Sequence, residues 1–398
     1  MTFNRRHILA GAAATAAVPG FLDRAVAQSA GASVKVGVIG PLSGPFALQG
    51  KNFKAGIDAY FALNGNKIGD NTIEIIYRDL PDADPAKSKA LGQELIIKDK
   101  VQYLAGVYFT PDAMALTPLL EPANVPLVIF NAATSAITTK SPFVVRTSFT
   151  IWQNTTPMAK VAIARGVKTV ITTVTDYGPG LDAEAAFKKG FEAAGGKVIE
   201  ALRMPLKTAD FGPIMQRIKD SGADAVFAFV PAGPTALSFT KAYIDNGVKE
   251  KGIKFLATGD LTQEADLPAM GDAAIGILTT FHYALSHKSA ANEAFVAAAA
   301  KAIGSEAELN FPAVGAFDGM RVIAKMIEAT GGKQDAAKAV DAVKGFAWES
   351  PRGPVSIDPV TRHITQNIYL REVAKEGGKL INKEIETFAA QTDSGLAT

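Results

Sequence analysis

The sequence predicts an α/β protein made of two doubly wound lobes with parallel sheets. Two observations lead there. Short strand-like runs alternate with helix-like runs along the chain, and many of the strands are apolar throughout rather than on alternate residues. A strand that reads apolar on both faces is covered on both, as in a parallel sheet flanked by helices and built from right-handed βαβ units. Length adds the second lobe. At about 150 residues per domain, 398 residues exceed one sheet.

Taken in order, Val34 to Ile39 is the first strand. Asn52 to Leu63 is a helix with Phe53, Ile57, Tyr60 and Phe61 on one face. Ile73 to Tyr77 is a strand, and Pro85 to Lys98 a helix with its proline in the first turn. Val101 to Val107 and Pro126 to Phe130 are strands. The lobes part near Arg146 to Trp152, where a strand-like run gives way to a new helix. Val167 to Val174, Ala223 to Val230, Ile253 to Ala257 and Gly276 to Thr280 are the next strands. Leu181 to Ala194 and Thr235 to Asn246 are helices between them. Ser350 to Ile357 is irregular.

The first 27 residues read as an address. Arg5 and Arg6 precede a weakly apolar run from Ile8 to Leu22, too short for the roughly 20 residues of a spanning helix. Ala25-Val26-Ala27 supplies a small-x-small cleavage pattern, so a signal peptide is expected to end at Ala27. The arginine pair resembles a twin-arginine signal; a general secretory signal carrying two arginines is the alternative. The expected exported chain holds 38 basic and 38 acidic residues and no cysteine. Neutrality argues against nucleic-acid binding by phosphate neutralisation. The lack of cysteine excludes disulfides and thiolate chemistry. The expected location is the periplasm.

Enzyme signatures are missing. There is no GxxxxGK[ST]; Gly37, Gly40 and Gly44 lack dinucleotide spacing; Ser43 lies in Gly-Pro-Leu-Ser-Gly rather than GxSxG. His282 and His287 lack HExxH spacing and read as surface histidines, so neither a metal nor a cofactor is expected.

Open α/β sheets bind ligands beyond the carboxyl ends of their strands. Those loops carry Pro41 to Phe46, with Ser43; Tyr108 to Asp112; Asn131 to Ser135; and Asp176 to Gly180. Thr110 before Pro111 predicts a helix start whose free N–H groups and positive dipole end suit an anion. Thr134 and Ser135 add hydroxyls from the neighbouring loop. Alternatively Thr110 only caps its helix and Thr134 only shapes a turn, which on spacing alone is the stronger reading.

Four stretches carry a resemblance: VKVGVIGPLSGPFALQG, VYFTPDAMALTPLLEPANVPLVIFNAATS, TDYGPG and AMGDAAIGI. In order and spacing they resemble substrate-binding proteins of the leucine/isoleucine/valine-binding type, with the type I periplasmic binding fold. That resemblance implies two lobes joined by a three-strand hinge. The N-terminal lobe would comprise 33–147 and 281–359, the C-terminal lobe 148–280 and 360–384, with 385–398 as a tail. It implies a ligand clamped by hinge closure and delivered to the membrane permease subunits of an ABC importer. A monomer that binds a small carboxylate and no nucleic acid, and is not an enzyme, is expected. The carboxylate-binding hydroxyls fall on Thr110 and on Thr134 beside Ala133, and the aromatic clamp on Tyr177. Gln49 stands where relatives are often aromatic; Tyr108, Phe109 and Phe311 are candidate walls.

Two departures bear on the ligand. The position that neutralises an amino-acid ammonium falls on Gly259 or Asp260; pointing into the cleft, Asp260 can pair with an ammonium, and pointing outward it leaves a buried amine without a partner. Pro231-Ala232-Gly233-Pro234 replaces a tyrosine with small residues, Gly233 among them. Both favour an aromatic or bulky acid ahead of a branched-chain amino acid. A sensory module of the same fold is the alternative, and an exported hydrolase a weaker one.

Overall fold

The structure, a computed structural model, describes residues 33–397. The expected signal peptide, its twin-arginine pair and its cleavage after Ala27 lie outside the described residues. The first sheet runs in the order β2-β3-β1-β4-β5-β6. Its strands are β1 (Ser33–Gly40), β2 (Lys67–Ile68), β3 (Asn71–Asp79), β4 (Tyr103–Gly106), β5 (Leu127–Ile129) and β6 (Val144–Arg146). Helices α1 (Ala47–Asn64), α2 (Pro85–Glu94) and α3 (Thr110–Ala123) connect them. Only the two-residue β2 runs antiparallel. The helix expected over 85–98 breaks at Glu94, where the chain widens to a π-turn over Leu95–Asp99 and stops at Lys100, at φ 56°.

The chain enters the second lobe with α4 (Ile151–Ala164). Thr150 accepts from the Gln153 N–H while Gln153 accepts from the Thr150 N–H, a reciprocal cap that starts the helix. Strands β7 (Thr169–Thr175), β8 (Lys197–Met204), β9 (Ala225–Phe229), β10 (Lys254–Thr258) and β11 (Leu278–Phe281) form a parallel stretch in the order β8-β7-β9-β10-β11. Helices α5 (Gly178–Ala193), α6 (Gly212–Asp220), α7 (Pro234–Asp245) and the single turn α8 (Leu267–Met270) join them. Strand β9 shows why these strands read as apolar. Ala225, Phe227 and Phe229 face one core cluster, and Val226, Ala228 and Val230 belong to another.

The chain returns to the first lobe in α9 (Ala290–Ile303), α10 (Pro312–Thr330) and α11 (Ala336–Asp341); α9 and α10 pack on α1. It then adds β12 (Ala347–Ser350), β13 (Gly353–Ile357), β14 (Ile364–Glu376) and β15 (Lys379–Gln391) to the second sheet. The second sheet is therefore mixed, because β14 runs antiparallel to β11, β13 and β15. A short turn imposes the last of these pairings: Gly377 and Gly378, at φ 56° and 81°, join β14 to β15, and a two-residue hairpin cannot connect parallel strands. The strands within 347–357, expected with the first lobe, and half of the expected tail, residues 385–391, belong to the second sheet.

The passages between lobes converge on a buried ion pair. Arg352 Nη2 lies 2.7 Å from Asp318 Oδ2, both side chains fully buried. The same guanidinium donates to the carbonyls of Thr147 and, at 2.8 Å, of Ser148, which lie in the first passage. Asp318 also accepts from the Trp348 indole and the Ser350 hydroxyl, each at 2.7 Å. Replacing Asp318 by Ala leaves Arg352 charged, buried and unpaired. The expected loss of unfolding free energy is about 3–5 kcal/mol, measured by urea denaturation. A loss below about 1 kcal/mol would remove this pair from the account of the hinge.

Candidate functional site

In each sheet the strand order reverses beside one strand: β1 in the first, flanked by β3 and β4, and β7 in the second, flanked by β8 and β9. Such switch points open a crevice at the carboxyl ends of the strands. Both crevices contribute residues to one narrow cavity between the lobes. The first lobe supplies Tyr108, Phe109 and Thr110 after β4, and Asn131 and Ala133 after β5. The second supplies Tyr177 and Pro179 after β7, Phe229 and Pro231 at the end of β9, and Asp260 after β10. Phe149 and Ile151, from the first passage, complete the wall.

A strained residue aims the first group. Val107 sits at φ 67°, a left-handed conformation costly for a β-branched side chain, roughly 1–3 kcal/mol. It is held there by its N–H on the Ile39 carbonyl (2.8 Å) and by its carbonyl accepting from Ala132 N–H (3.2 Å). The turn sends Tyr108, Phe109 and Thr110 into the crevice. Thr110 was expected to cap its helix. Instead Phe109 takes the cap position, and the Thr110 side chain makes no cap bond. The Thr110 hydroxyl lies 3.3 Å from Thr134 Oγ1 and accepts from the Thr134 N–H at 3.4 Å. Two threonine hydroxyls from adjacent loops thus meet at the start of α3.

The start of α5 meets them from the other lobe. A methyl group built on Gly178 would stand 2.7 Å from Thr134 Oγ1 and 3.4 Å from Thr110 Cγ2, so only glycine lets the lobes approach this closely. Both α3 and α5 carry proline at the second position, where the lost N–H has no intrahelical partner to lose. The positive ends of two helices and two hydroxyls therefore converge, and no lysine or arginine lines the cavity.

The rest of the wall is aromatic. Tyr177 and Phe229 stack with ring centres 6.2 Å apart and planes 23° from parallel. Tyr108 packs edge-on to Phe109 at 4.9 Å, and Phe149 crosses Phe311 at 6.1 Å. Burial, with the nearby Asp260 carboxylate, pushes the hydroxyls of Tyr108 and Tyr177 well above the usual phenol range, so both stay protonated. The Tyr108 hydroxyl donates across the cleft to the Ala232 carbonyl at 2.6 Å.

Asp260 is the one acid on the wall. Burial pushes its carboxyl up to about 7, against the opposing pull of Thr258, whose hydroxyl donates to it at 2.9 Å. Of the two alternatives at 259–260, Asp260 lines the cavity, whereas Gly259 gives its carbonyl to Arg371 at 3.3 Å.

Six of the sequence-derived site residues, Tyr108, Phe109, Thr110, Ala133, Tyr177 and Asp260, line the cavity, and Thr134 bonds to Thr110 behind it. Four lie elsewhere. Ser43 bonds to Asp79 by its hydroxyl (2.5 Å) and its N–H (3.1 Å). Gln49 donates across the lobes to Gln263 at 3.0 Å, where Asn310 also donates. Gly233 abuts the Phe46 ring, and Phe311 stands behind Phe149. Asn131, Pro179 and Pro231 lie in segments the sequence singled out without being named as site residues, and Phe149, Ile151 and Phe229 were not anticipated. The strand-end rule reaches Asn131 and Phe229, but no local signal marks Phe149, which the hinge delivers. The expected surface histidines are a correction. His282 is buried (1% exposed), stacked on Phe149 at 4.5 Å and held neutral by burial. His287 pairs with Glu384 at 2.9 Å.

The profile of the periplasmic binding protein family matches residues 33–379. The chain belongs to the periplasmic binding proteins. This periplasmic binding protein is 70% identical, over 91% of its length and 93% of the relative's, to Leu/Ile/Val-binding protein homolog 6 of Brucella melitensis biotype 1. It superposes with a TM-score of 0.91 on an ABC-transporter solute-binding protein of R. palustris in complex with 4-hydroxybenzoate, at 63% identity, covering 92% of this chain and 99% of that one. A solute-binding protein of Rhodopseudomonas palustris BisB5 in complex with 3,4-dihydroxybenzoic acid superposes at 0.87 with 43% identity, covering 92% and 99%. The type I fold with two α/β lobes is common to them. Among the described residues no helix is long and apolar enough to cross a membrane.

The raised Asp260 carboxyl makes a prediction. The unfolded chain ionises near 3.8 and the folded one near 7, so apo stability falls as pH rises between those values and is flat above. Asp260→Asn removes this penalty. Its apo melting midpoint should exceed wild type by a few degrees at pH 8, roughly, with the gain fading toward pH 4. A difference independent of pH would contradict the raised carboxyl.

Proposed function

We propose that the chain is the periplasmic solute-binding component of an ABC importer and captures a hydroxylated aromatic carboxylate, of which 4-hydroxybenzoate is the model. The observation that carries this is an aromatic-walled cavity in which the start of α3 and two threonine hydroxyls on one lobe meet the start of α5 and a buried acid on the other. A carboxylate at Thr110, Thr134 and the start of α3 satisfies those donors. A flat ring fills the space among Tyr177, Phe229 and Phe149. A phenol hydroxyl donates to Asp260, returning a partner to a carboxylate that closure has stripped of water. The solved relative at 63% identity, bound to 4-hydroxybenzoate, supports the class.

Hinge closure performs the capture. Ligand settles on the first lobe, and the second swings over it, bringing α5 onto the threonines and Tyr108 onto Ala232. Ligand drives closure only through contacts the open form lacks. The closed pair is the form the permease subunits recognise, and no bond of the ligand changes.

In a thermal-shift panel at about 100 times the dissociation constant, 4-hydroxybenzoate should stabilise the protein by about 2.7 kcal/mol. Leucine and valine should produce no shift. A shift with leucine and none with the aromatic acid would overturn the ligand class. By calorimetry, Asp260→Ala should weaken 4-hydroxybenzoate roughly 10–100-fold and leave benzoate nearly unchanged, because only the former reaches Asp260 with a donor. Thr110→Ala should weaken both acids about tenfold with the apo midpoint unmoved.

A further inference from the structure

The loop that presents Thr134 is gripped at three successive polar atoms. The Thr134 carbonyl accepts from Arg146 Nη2 at 2.7 Å. The Ser135 N–H donates to Asp182 Oδ2 at 3.1 Å, and the Ser135 hydroxyl donates to Asp393 Oδ1 at 2.6 Å. Arg146 ends β6 of the first lobe, whereas Asp182 is on α5 and Asp393 follows β15, the last strand of the second sheet. Two carboxylates attached to one lobe thus hold one serine of the other.

The Asp393 carboxylate is itself placed by a chain of contacts. Arg146 Nη1 stands 3.1 Å from His363 Nδ1. A guanidinium only donates, so Nδ1 accepts and the imidazole proton sits on Nε2. Nε2 lies 3.2 Å from Thr138 Oγ1, within hydrogen-bond reach, and 3.6 Å from Asp393 Oδ2, beyond it. Gln153 Nε2 fixes the preceding strand end through the Gln391 carbonyl at 2.9 Å. Beyond Asp393 the chain stays against the loop: a methyl on Gly395 would lie 2.4 Å from Ser135 Oγ and 2.3 Å from the Trp152 ring. The side chains of Asp393 and His363 are buried, as is Arg146. Burying a second carboxylate here is costly. A turn needs one acceptor for Ser135 N–H, not a further acid and a strap of chain over its hydroxyl.

We propose that the segment after β15 is part of the binding machinery, with Asp393 a positioning residue that orients the Thr134–Ser135 loop toward the ligand carboxylate. Asp393 does not line the cavity. It acts through Ser135, and its effect falls on the carboxylate end of the ligand. The inference rests on the carboxylate-capture reading above but not on which carboxylate is captured.

The test compares Asp393→Ala, Asp393→Asn and a chain ending at Gln391 with wild type, using 4-hydroxybenzoate and 4-hydroxybenzamide in calorimetry and the apo midpoint as a second readout. In Asp393→Ala and the truncated chain, affinity for the acid should drop about tenfold and the acid-over-amide preference should shrink by the same factor. Asp393→Asn, whose amide oxygen still accepts from Ser135, should recover most of both. Unchanged acid affinity in Asp393→Ala and the truncated chain would overturn the proposal. So would equal losses for acid and amide that follow the fall in apo midpoint and are not recovered by asparagine, since those mark a purely structural contact. Should wild type take leucine instead of the aromatic acid, the aromatic reading fails. The same variants are then read with leucine and leucinamide, and the same two results decide the positioning role.

Discussion

The hinge depends on one buried charge being answered. Arg352 reaches the carbonyls of Thr147 and Ser148 in the first passage, and Asp318 on α10 neutralises it. A guanidinium so deeply buried is tolerable only with its charge paired, and both terminal nitrogens of Arg352 are directed to acceptors. That demand locks together the first passage, a first-lobe helix and the strands that close the second sheet. The two switch points face each other across this junction, and Phe149, which lies one residue beyond Ser148, reaches the cavity wall.

On the proposed reading, the cavity holds an anion without a cation. A lysine or arginine opposite a carboxylate in a dry cleft forms a strong pair that is costly to break. Helix starts and hydroxyls spread a weaker positive potential over several donors, which suits a protein that must also release its ligand. Asp260 sets the opposite polarity on the facing lobe. The ligand that fits has an anionic end and a donor end separated by an apolar body. A ring hydroxyl para to a carboxylate meets this, whereas an α-amino acid carries both charges on one carbon.

Most strands and helices were legible because a doubly wound sheet writes its burial into the sequence. Strands such as β9 are apolar on both faces, and α7 starts within a residue of the expected position. Three kinds of element escaped. Strand β8 lies at a sheet edge and alternates in burial, so its polar residues hid it. The β14–β15 hairpin was marked by Gly377-Gly378 between two alternating runs, a turn signal that was overlooked. The reciprocal cap of Thr150 and Gln153 was likewise readable, and it locates the start of the second lobe.

The site divides in the same way. The chain's local pattern determined which loops follow which strands and so reached the loops of Tyr108, Phe109, Thr110, Ala133 and Tyr177, whereas the family resemblance supplied their roles and Asp260. Strand ends are local features, and the crevice rule needs only their order. Tertiary structure alone decided that Ser43 and Gln49 satisfy Asp79 and Gln263, that His282 is buried at the hinge, and that Asp393 reaches Ser135. Such pairings join residues as many as 258 positions apart, and they depend on how the lobes meet, which no local periodicity records.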